Sequence, residues 1–304
     1  MTLAALRARI ERLPGNVRGC LWAAGAMFVF GLMDALIKGV GTLLHPLQVA
    51  FFRCLFAFLI MAPLVLGFGG LRRVATARIG AHFARTLLGY TAMACSFVAV
   101  SRMNLADAVA LGYVRQLFLV VLAVLLLDEV VRWRRWTATA VGFLGVVVMV
   151  RPGAGVFDPY ALVALLAGFF VACVTVALKR LSATESAEST VFWFSAFSTV
   201  ISFVPALFVW QPPTPLEWAA GACLGALGAT GQYCSMRAYR VAEATAVEPV
   251  DYGRMVMAAV FGVFAFGEAL DAYTVVGAFI IAGSTLYIAR REAKRAVSPP
   301  PPEG

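Results

Sequence analysis

Long apolar runs follow one another through the chain, separated by short segments that hold most of its charges, glycines and prolines. A helix needs about 20 mostly apolar residues to cross the hydrocarbon core of a bilayer. Ten runs approach that length: 20–37, 47–66, 80–100, 105–127, 134–150, 159–177, 190–210, 217–235, 244–266 and 272–289. The pattern therefore predicts an all-α integral membrane protein with ten transmembrane helices joined by short loops.

Composition agrees with this prediction. Of the 304 residues, 62% are hydrophobic and 13% are charged, whereas soluble domains contain about 25% charged residues. The net charge of +9 raises nucleic acid as a partner. The position of each basic residue therefore matters more than the total.

The basic residues lie mainly on one side of the predicted membrane. If the N-terminus is cytoplasmic, 18 of the 25 Lys and Arg residues fall on the cytoplasmic side, 3 fall on the opposite side and 4 lie within spans. Cytoplasmic loops of membrane proteins carry such an excess. We therefore predict a multi-pass protein of the bacterial inner (plasma) membrane with both termini cytoplasmic, and we expect no nucleic-acid partner.

A short signature occurs twice, at matching positions of the two halves. Tyr113-Val114-Arg115 is followed by Glu129, and Tyr252-Gly253-Arg254 is followed by Glu268, with a constant offset of 139 residues. The glutamates mark the ends of spans. Because each half holds five spans, an odd number, the second half enters the membrane in the opposite orientation. We predict a basic N-terminal segment, two inverted five-helix repeats and a disordered cytoplasmic tail, at 1–18, 19–151, 152–290 and 291–304.

Charged residues inside the spans are the candidates for chemistry. An arginine at the bilayer centre costs at least about 2.5–3.5 kcal/mol on insertion scales, so it is expected to face the protein interior or water. Two such arginines at matched positions indicate a polar site in the middle of an internally duplicated transporter. The residues predicted to bind substrate are Arg53, Tyr113, Arg115, Trp193, Glu248, Asp251, Tyr252 and Arg254.

The ninth span combines three charges with a proline. Glu248, Asp251 and Arg254 stand three residues apart and share one side of a helix, while Pro249 removes a backbone donor. This arrangement suits a binding site. An internal Asp251–Arg254 ion pair with an interfacial Glu248 is the alternative, and for Arg115 the alternative is a structural pair with an acid on another helix.

Other intramembrane residues have two interpretations each. Asp34 and Lys38 are i,i+4 neighbours in the first span, so Asp34 either forms a local ion pair or acts in coupling or gating. Asp107 and Arg85 lie closer to span ends, where they tune the interface or the topology, and Asp107 is a second candidate for coupling or gating. Trp193 belongs either to an aromatic interface belt or to a ring-stacking site.

Metal and enzyme chemistry find little support in the sequence. Six cysteines lie in apolar runs without C-x-x-C spacing, and there are only two histidines, so we predict no metal and no cofactor. We find no nucleophile elbow, zinc-protease motif or phosphate-binding glycine loop, and we predict that the chain is not an enzyme. A channel remains the alternative to a carrier. The expected partners are a small-molecule substrate and the bilayer. A coupling proton or an exchanged metabolite is a possible further partner. The sequence is compatible with a monomer and with a homodimer.

The ordered motifs resemble a known family. The chain is similar to the drug/metabolite transporter superfamily of EamA type over residues 19 to 290. The motifs that carry the resemblance are Leu105-Ala106-Asp107-Ala108, Leu127-Asp128-Glu129, Arg134-Arg135-Trp136 and Gly142-Phe143-Leu144-Gly145 in the first half, and 242–246, Glu248-Pro249, Asp251-Tyr252, Phe266-Gly267-Glu268 and Gly277 in the second. Val49-Ala50-Phe51-Phe52-Arg53 and the 133–152 stretch look like the bacterial subgroup that includes S-adenosylmethionine and riboflavin carriers.

This resemblance implies ten helices around a central cavity and secondary transport by alternating access. The substrate class it implies is a small polar or zwitterionic metabolite that is S-adenosylmethionine-like, riboflavin-like or amino-acid-related. Carboxylates beside arginines and aromatic rings suit such a molecule, because Arg binds a carboxylate while carboxylates and rings bind a sulfonium or ammonium group.

Overall fold

The computed structural model describes residues 14–67, 74–127, 133–151, 158–181, 184–185, 187–242, 247 and 250–296. All the regular elements in these segments are helical, so the all-α prediction is confirmed. The helices are α1 Gly15–Val40, α2 Pro46–Gly67, α3 Ile79–Arg102, α4 Leu105–Gly112, α5 Arg115–Leu127, α6 Trp133–Val150, α7 Pro159–Leu181, α8 Ala187–Phe208, α9 Pro215–Val241, α10 Gly253–Phe266 and α11 Ala272–Ala296.

These helices account for the ten predicted spans. Helices α4 and α5 together form the fourth span, and α10 forms most of the ninth. Six helical segments in the described chain are long and apolar enough to cross a membrane, among them Leu105–Leu126, and three further apolar helices are shorter. The main differences are at two ends: α9 continues to Val241 and α11 to Ala296, so part of the predicted disordered tail is helical. Residues 1–13 and 297–304 lie outside the described part.

Helices of the first half pack mainly against helices of the second. Helix α1 packs against α9, and α3 packs against α7, so the first helix of each half contacts the third helix of the other. In the same way α4 and α5 contact α7, while α10 contacts α1. Helices α2 and α8 form one further cross-half pair, and α6 and α11 form another. The apolar core and the polar site consequently lie between the two halves.

Both copies of the Tyr-x-Arg signature lie where a membrane helix is interrupted. Tyr113 and Val114 form a turn between α4 and α5, and Tyr252 forms the turn before α10. At both turns backbone bonds reach back three residues instead of four: the N–H of Leu117 donates to the Val114 carbonyl at 2.9 Å, and that of Met255 donates to the Tyr252 carbonyl at 3.0 Å. A stretch of such 3₁₀ bonding within a helix often marks a functional hinge.

Small residues allow each interruption to lie close to a neighbouring helix. A Cβ on Gly168 of α7 would lie 2.6 Å from a methyl of Val114, closer than real contacts allow. A Cβ on Gly253 would overlap the sulfur of Met27 on α1. The break in the fourth span therefore packs against α7, and the break in the ninth span packs against α1.

The two ends of the bundle are named by the ends of α1. The outer end is the one that contains Val40, and the inner end is the one that contains Gly15. The inner end corresponds to the side on which the sequence predicts the cytoplasm.

Candidate functional site

Two tyrosines from the two helix breaks form the centre of the site. Tyr113 and Tyr252 stack with ring centroids 4.7 Å apart and an interplanar angle of 25°. The Tyr113 hydroxyl donates to the backbone carbonyl of Asp251 at 2.6 Å. The Tyr252 hydroxyl donates to Oε1 of Gln116 at 2.8 Å and also contacts Oγ1 of Thr285. The rings thus stack on each other, and they are not open platforms for a ligand in this conformation.

Arg115 forms an ion pair across the halves. Its Nη2 lies 3.3 Å from Oδ2 of Asp251, and its guanidinium lies 5.2 Å from the centroid of the Tyr113 ring. The two charged side chains keep 35% and 32% of their surface exposed. A long contact between two partly exposed side chains contributes about 0–1 kcal/mol. Arg115 therefore has an acidic partner in another span, as one of its two interpretations expects, and the pair is weak enough to be opened by a competing ligand.

Arg254 forms a much tighter pair. Its Nε and Nη2 donate to the two carboxylate oxygens of Asp34, each at 2.7 Å. Its guanidinium also lies 5.3 Å from the ring centroid of Phe30. The Asp34 side chain is only 3% exposed. Bidentate contacts are the strongest ion-pair geometry, so this second pair holds α1 against α10.

These pairings correct two of the alternatives drawn from the sequence. An internal Asp251–Arg254 pair is wrong, because the break at Tyr252 separates the two side chains and each meets a partner from the other half. A local Asp34–Lys38 pair is also wrong, because α1 packs against α10 and both side chains bond to residues of the second half. These intramembrane charges are therefore balanced between the halves and not along single helices.

A small cavity of about 80 Å³ lies beside the two breaks. It is lined by the side chains of Arg115, Arg254 and Tyr113 together with small residues from three neighbouring elements, namely Ser96, Val100, Ala108, Val109, Gly112, Ala167, Gly168 and Val171. Both signature arginines therefore reach one cavity, as their matched positions in the sequence predict. We call this space the central cavity.

A larger cavity of about 360 Å³ lies toward the outer end. Its charged lining consists of Lys38, Arg102, Asp107, Arg151, Asp158 and Asp271. Helices α3, α4 and α7 contribute to this outer cavity and also to the central cavity. Asp107 lines the outer cavity and Gly112 lines the central cavity. These two residues are five positions apart on α4, which is about 7.5 Å along the helix. The two spaces thus follow one another along the same helices.

Glu268 joins three elements at the outer end. Its Oε1 lies 2.5 Å from Nζ of Lys38, and its Oε2 accepts the backbone N–H of Leu105 at 2.8 Å. Gly267 ends α10 with a φ of 65°, a left-handed conformation that glycine adopts without strain. A Cβ at Gly262 would lie 2.6 Å from Oε2 of Glu268. The sequence interpretation of Glu268 as a helix-end marker is thus incomplete, since this carboxylate also connects the two halves.

Further contacts between halves surround the outer cavity. Oγ1 of Thr274 donates to Oδ1 of Asp107, and Arg151 forms an ion pair with Asp271. The guanidinium of Arg151 also lies 4.3 Å from the ring centroid of Tyr273. Asp107, predicted for coupling or gating, is consequently placed where the two halves meet at the outer end.

The remaining predicted site residues are placed elsewhere. Nη1 of Arg53 contacts Sδ of Met93 at 3.0 Å, and its Nε is buried without a hydrogen-bond partner. Nε1 of Trp193 donates to the Val74 carbonyl at 2.8 Å, near the inner end, so the structure does not bring this ring to the central cavity. Glu248 and Glu129 lie outside the described residues.

Comparison with known proteins places this geometry in a family. The model of the EamA-like transporter family matches residues 17–151 and again residues 158–290. The chain is 31% identical to the S-adenosylmethionine uptake transporter of Rickettsia prowazekii over 93% of this chain and 96% of that protein. It is 29% identical to the pseudopaline exporter of Pseudomonas aeruginosa, with 90% and 96% covered, and 26% identical to the riboflavin transporter of Vibrio cholerae, with 92% and 95% covered.

A solved crystal structure supports the same fold. It aligns with a TM-score of 0.59 at 19% identity and covers 91% of this chain and 99% of the other. The relatives carry transporter names, and the described helices suit a multi-pass membrane protein. The chain belongs to the EamA-like transporter family and is a transporter of small molecules, not an enzyme.

Proposed function

We propose that this protein carries a zwitterionic organic metabolite, of the chemical type of S-adenosylmethionine, across the bacterial inner membrane by alternating access. The observation that carries the proposal is the Arg115–Asp251 pair. The pair joins the two halves, and both of its side chains are partly exposed. Nη2 of Arg115 lies 3.3 Å from Oδ2 of Asp251, and Arg115 lines the central cavity. The carboxylate and one cationic group of such a substrate replace this pair charge for charge. S-adenosylmethionine carries one further positive charge, for which the aromatic rings beside the pair offer a contact.

The chemistry of each partner fits one part of such a substrate. The guanidinium of Arg115 binds a carboxylate through parallel hydrogen bonds. The carboxylate of Asp251 binds an ammonium or sulfonium group, and the adjacent ring of Tyr113 offers a face to the same cation. Relatives named as S-adenosylmethionine uptake transporters are 31% and 33% identical to this chain.

The size of the central cavity supports a mechanism in which the halves move. Ligand sites usually have volumes of about 300–1,000 Å³, whereas the central cavity measures about 80 Å³ and the outer cavity about 360 Å³. Separation of the Tyr113–Tyr252 stack enlarges the central cavity. We propose that the contacts at the outer end open to admit substrate to the outer cavity, that the stack then parts, and that the outer contacts form again behind the substrate.

A riboflavin-like substrate is the second candidate, since one relative is a riboflavin transporter. Riboflavin has an aromatic ring system but no carboxylate or ammonium. It is expected to use the two tyrosines and to be insensitive to the charges of Arg115 and Asp251. Replacement of Arg115 and Asp251 by neutral residues therefore distinguishes the two substrate classes.

Counterflow in proteoliposomes tests the proposal. Vesicles loaded with unlabelled S-adenosylmethionine, riboflavin or an amino acid are presented with the labelled compound outside. A carrier for zwitterions gives saturable counterflow with S-adenosylmethionine, and uptake is competed by other zwitterions of similar size. Non-saturating flux would favour the channel alternative, and counterflow with riboflavin alone would replace the proposed substrate class.

A further inference from the structure

Arg85 is a cation inside a membrane helix that the central site does not use. It lies on α3, and its Nε and Nη1 are buried without a hydrogen-bond partner. In the described part of the chain no carboxylate forms a salt bridge with it. A buried charge is expensive unless it is paired. Its retention in this position is explained if an anion occupies the site during part of the transport cycle.

An aromatic ring and two neighbouring helices define the surroundings of Arg85. Its guanidinium carbon lies 4.2 Å from the ring centroid of Phe194 on α8. A Cβ at Gly89, one turn further along α3, would lie 2.9 Å from that ring and 3.7 Å from Val174 on α7. Gly89 therefore allows Phe194 to reach the guanidinium. The ring contacts the face of the guanidinium, and Nε and Nη1 keep unused hydrogen-bonding capacity.

The position of Arg85 along α3 connects it to the central cavity. Arg85, Gly89, Met93, Ser96 and Val100 follow at spacings of three and four residues, so they form one face of the helix. Ser96 and Val100 line the central cavity. Arg85 lies about 16 Å from Ser96 along the helix axis, toward the inner end. The same helix face thus leads from the central cavity to Arg85.

Arg53, on α2, reaches this face of α3 between the two positions. Its Nη1 contacts Sδ of Met93, one turn from Ser96, and its Nε is buried and without a partner. A Cβ at Gly228 of α9 would lie 3.2 Å from that Nε, so the small residue makes room for the guanidinium. Arg53 and Arg85 are therefore two cations without carboxylate partners among the described residues. Met93, which Arg53 contacts, lies about 12 Å from Arg85 along α3.

Two contacts at the inner end connect α3 to the residues that follow α7, close to Arg85 in the chain. Nε2 of His82 lies 3.3 Å from Oε2 of Glu185, which follows α7, and both side chains are buried. Burial raises the pKa of the Glu185 carboxyl, but hydrogen bonds from His82 and Thr76 outweigh it and hold that pKa below its ordinary value. Nη1 of Arg78 also donates to Thr184 at 2.9 Å. These contacts join the start of α3 to the end of α7, one turn beyond Arg85.

We propose that Arg85 is an inner binding site for the carboxylate of the transported molecule, reached from the central cavity by way of Arg53 and opened to the cytoplasm when the His82–Glu185 contact separates. The proposal rests on the proposed function, because it takes the substrate to carry a carboxylate. The role of Arg85 extends the proposed function by stating on which side of the membrane each arginine binds the substrate. Arg115 receives the carboxylate in the central cavity, Arg53 contacts it on the way to the inner end, and Arg85 holds it before release.

The test uses two substrates that differ only in the carboxylate. S-adenosylmethionine and its decarboxylated analogue are measured in proteoliposomes of defined orientation, with the concentration varied separately on the inner and outer faces of the protein. R85Q is expected to raise the inner-face KM for S-adenosylmethionine about tenfold or more, since a hydrogen-bonded charge contact is lost, and to leave the outer-face KM unchanged. R85K is expected to restore most of the inner-face affinity.

Two controls separate a local effect from damage to the fold. R180Q removes another arginine near the inner end, one that donates to the Leu126 carbonyl, and is expected to leave both KM values unchanged. The decarboxylated analogue is expected to compete for the central site equally well in R85Q and in the wild-type protein. An equal rise in KM for both compounds would mean that R85Q damages the fold. If R85K then also failed to restore the inner-face affinity, the proposal would be contradicted.

The outcomes also distinguish the two proposals. Wild-type transport of S-adenosylmethionine with an unchanged inner-face KM in R85Q would overturn the role of Arg85 and leave the proposed function intact. Absence of transport of any carboxylate-bearing candidate by the wild-type protein would overturn the proposed function, and the role of Arg85 with it.

Discussion

The Asp34–Arg254 pair gives the most quantitative prediction for stability. Both carboxylate oxygens of Asp34 accept bonds from the guanidinium at 2.7 Å, and the carboxylate is 3% exposed. D34N keeps the shape of the side chain but leaves Arg254 as a buried charge without its counter-ion. Breaking a buried pair in this way costs about 3–5 kcal/mol.

The expected result is a large fall in thermal stability in detergent. With roughly 2–4 °C of Tm per kcal/mol for a chain of moderate size, D34N should lower Tm by about 6–20 °C. The double variant D34L/R254M removes both charges and should recover most of the loss, because apolar replacements of a buried pair are often neutral or stabilising. Fluorescence-detected size-exclusion chromatography after heating measures both.

The exposed pair provides the matched control. D251N removes an acid whose Oδ2 makes two long contacts, 3.3 Å to Arg115 and 3.4 Å to the Tyr113 hydroxyl, and which is 32% exposed, so its cost should be about 0–1 kcal/mol. A fall in Tm as large for D251N as for D34N would refute the distinction between a structural pair and an accessible pair. An unchanged Tm in D34N would refute the assignment of Asp34 as the structural partner of Arg254.

The remaining predictions concern the tyrosine, the outer contacts and the topology. Y113F removes the bond to the Asp251 carbonyl and should cost about 0.5–1.5 kcal/mol in unfolding free energy, measured by Tm, while an unchanged Tm would contradict a structural role for that hydroxyl. E268Q weakens the 2.5 Å contact with Lys38 and should speed modification of a cysteine introduced at Ser101 in the outer cavity; an unchanged rate would show that this contact does not restrict access. A reporter that is active only in the cytoplasm should be active when it is fused after residue 296, and activity of a reporter that works only outside the cytoplasm would contradict the predicted orientation.

Much of the fold was predictable because membrane helices are long and apolar. The ten runs, and the expectation that the two signature arginines face the protein interior, follow from hydrophobicity and from the cost of charge in hydrocarbon. The internal offset of 139 residues pointed to the same pair of positions that the structure brings to one cavity. These signals are local or periodic, so a single sequence contains them.

The pairing of charges was not predictable in the same way. Asp34 and Arg254 are 220 residues apart, and their contact depends on the packing of α1 against α10. Spacing within one helix suggested Asp251 for Arg254 and Lys38 for Asp34, but a helix break and a cross-half interface determine the actual partners. Trp193 was ambiguous for a related reason, since the acceptor of its ring N–H, the Val74 carbonyl, belongs to a distant segment. The useful signal would have been that each half carries intramembrane acids and bases that can pair with those of the other half.

The central claim is that the Arg115–Asp251 pair receives a zwitterionic substrate. The most direct measurement is S-adenosylmethionine counterflow by the double variant R115Q/D251N, which removes both charges without leaving either one unpaired. We predict a folded protein with a Tm within a few degrees of the wild type, as expected for loss of an exposed pair worth about 0–1 kcal/mol, and no counterflow above that of empty vesicles. Saturable counterflow with a wild-type KM in this variant would contradict the claim.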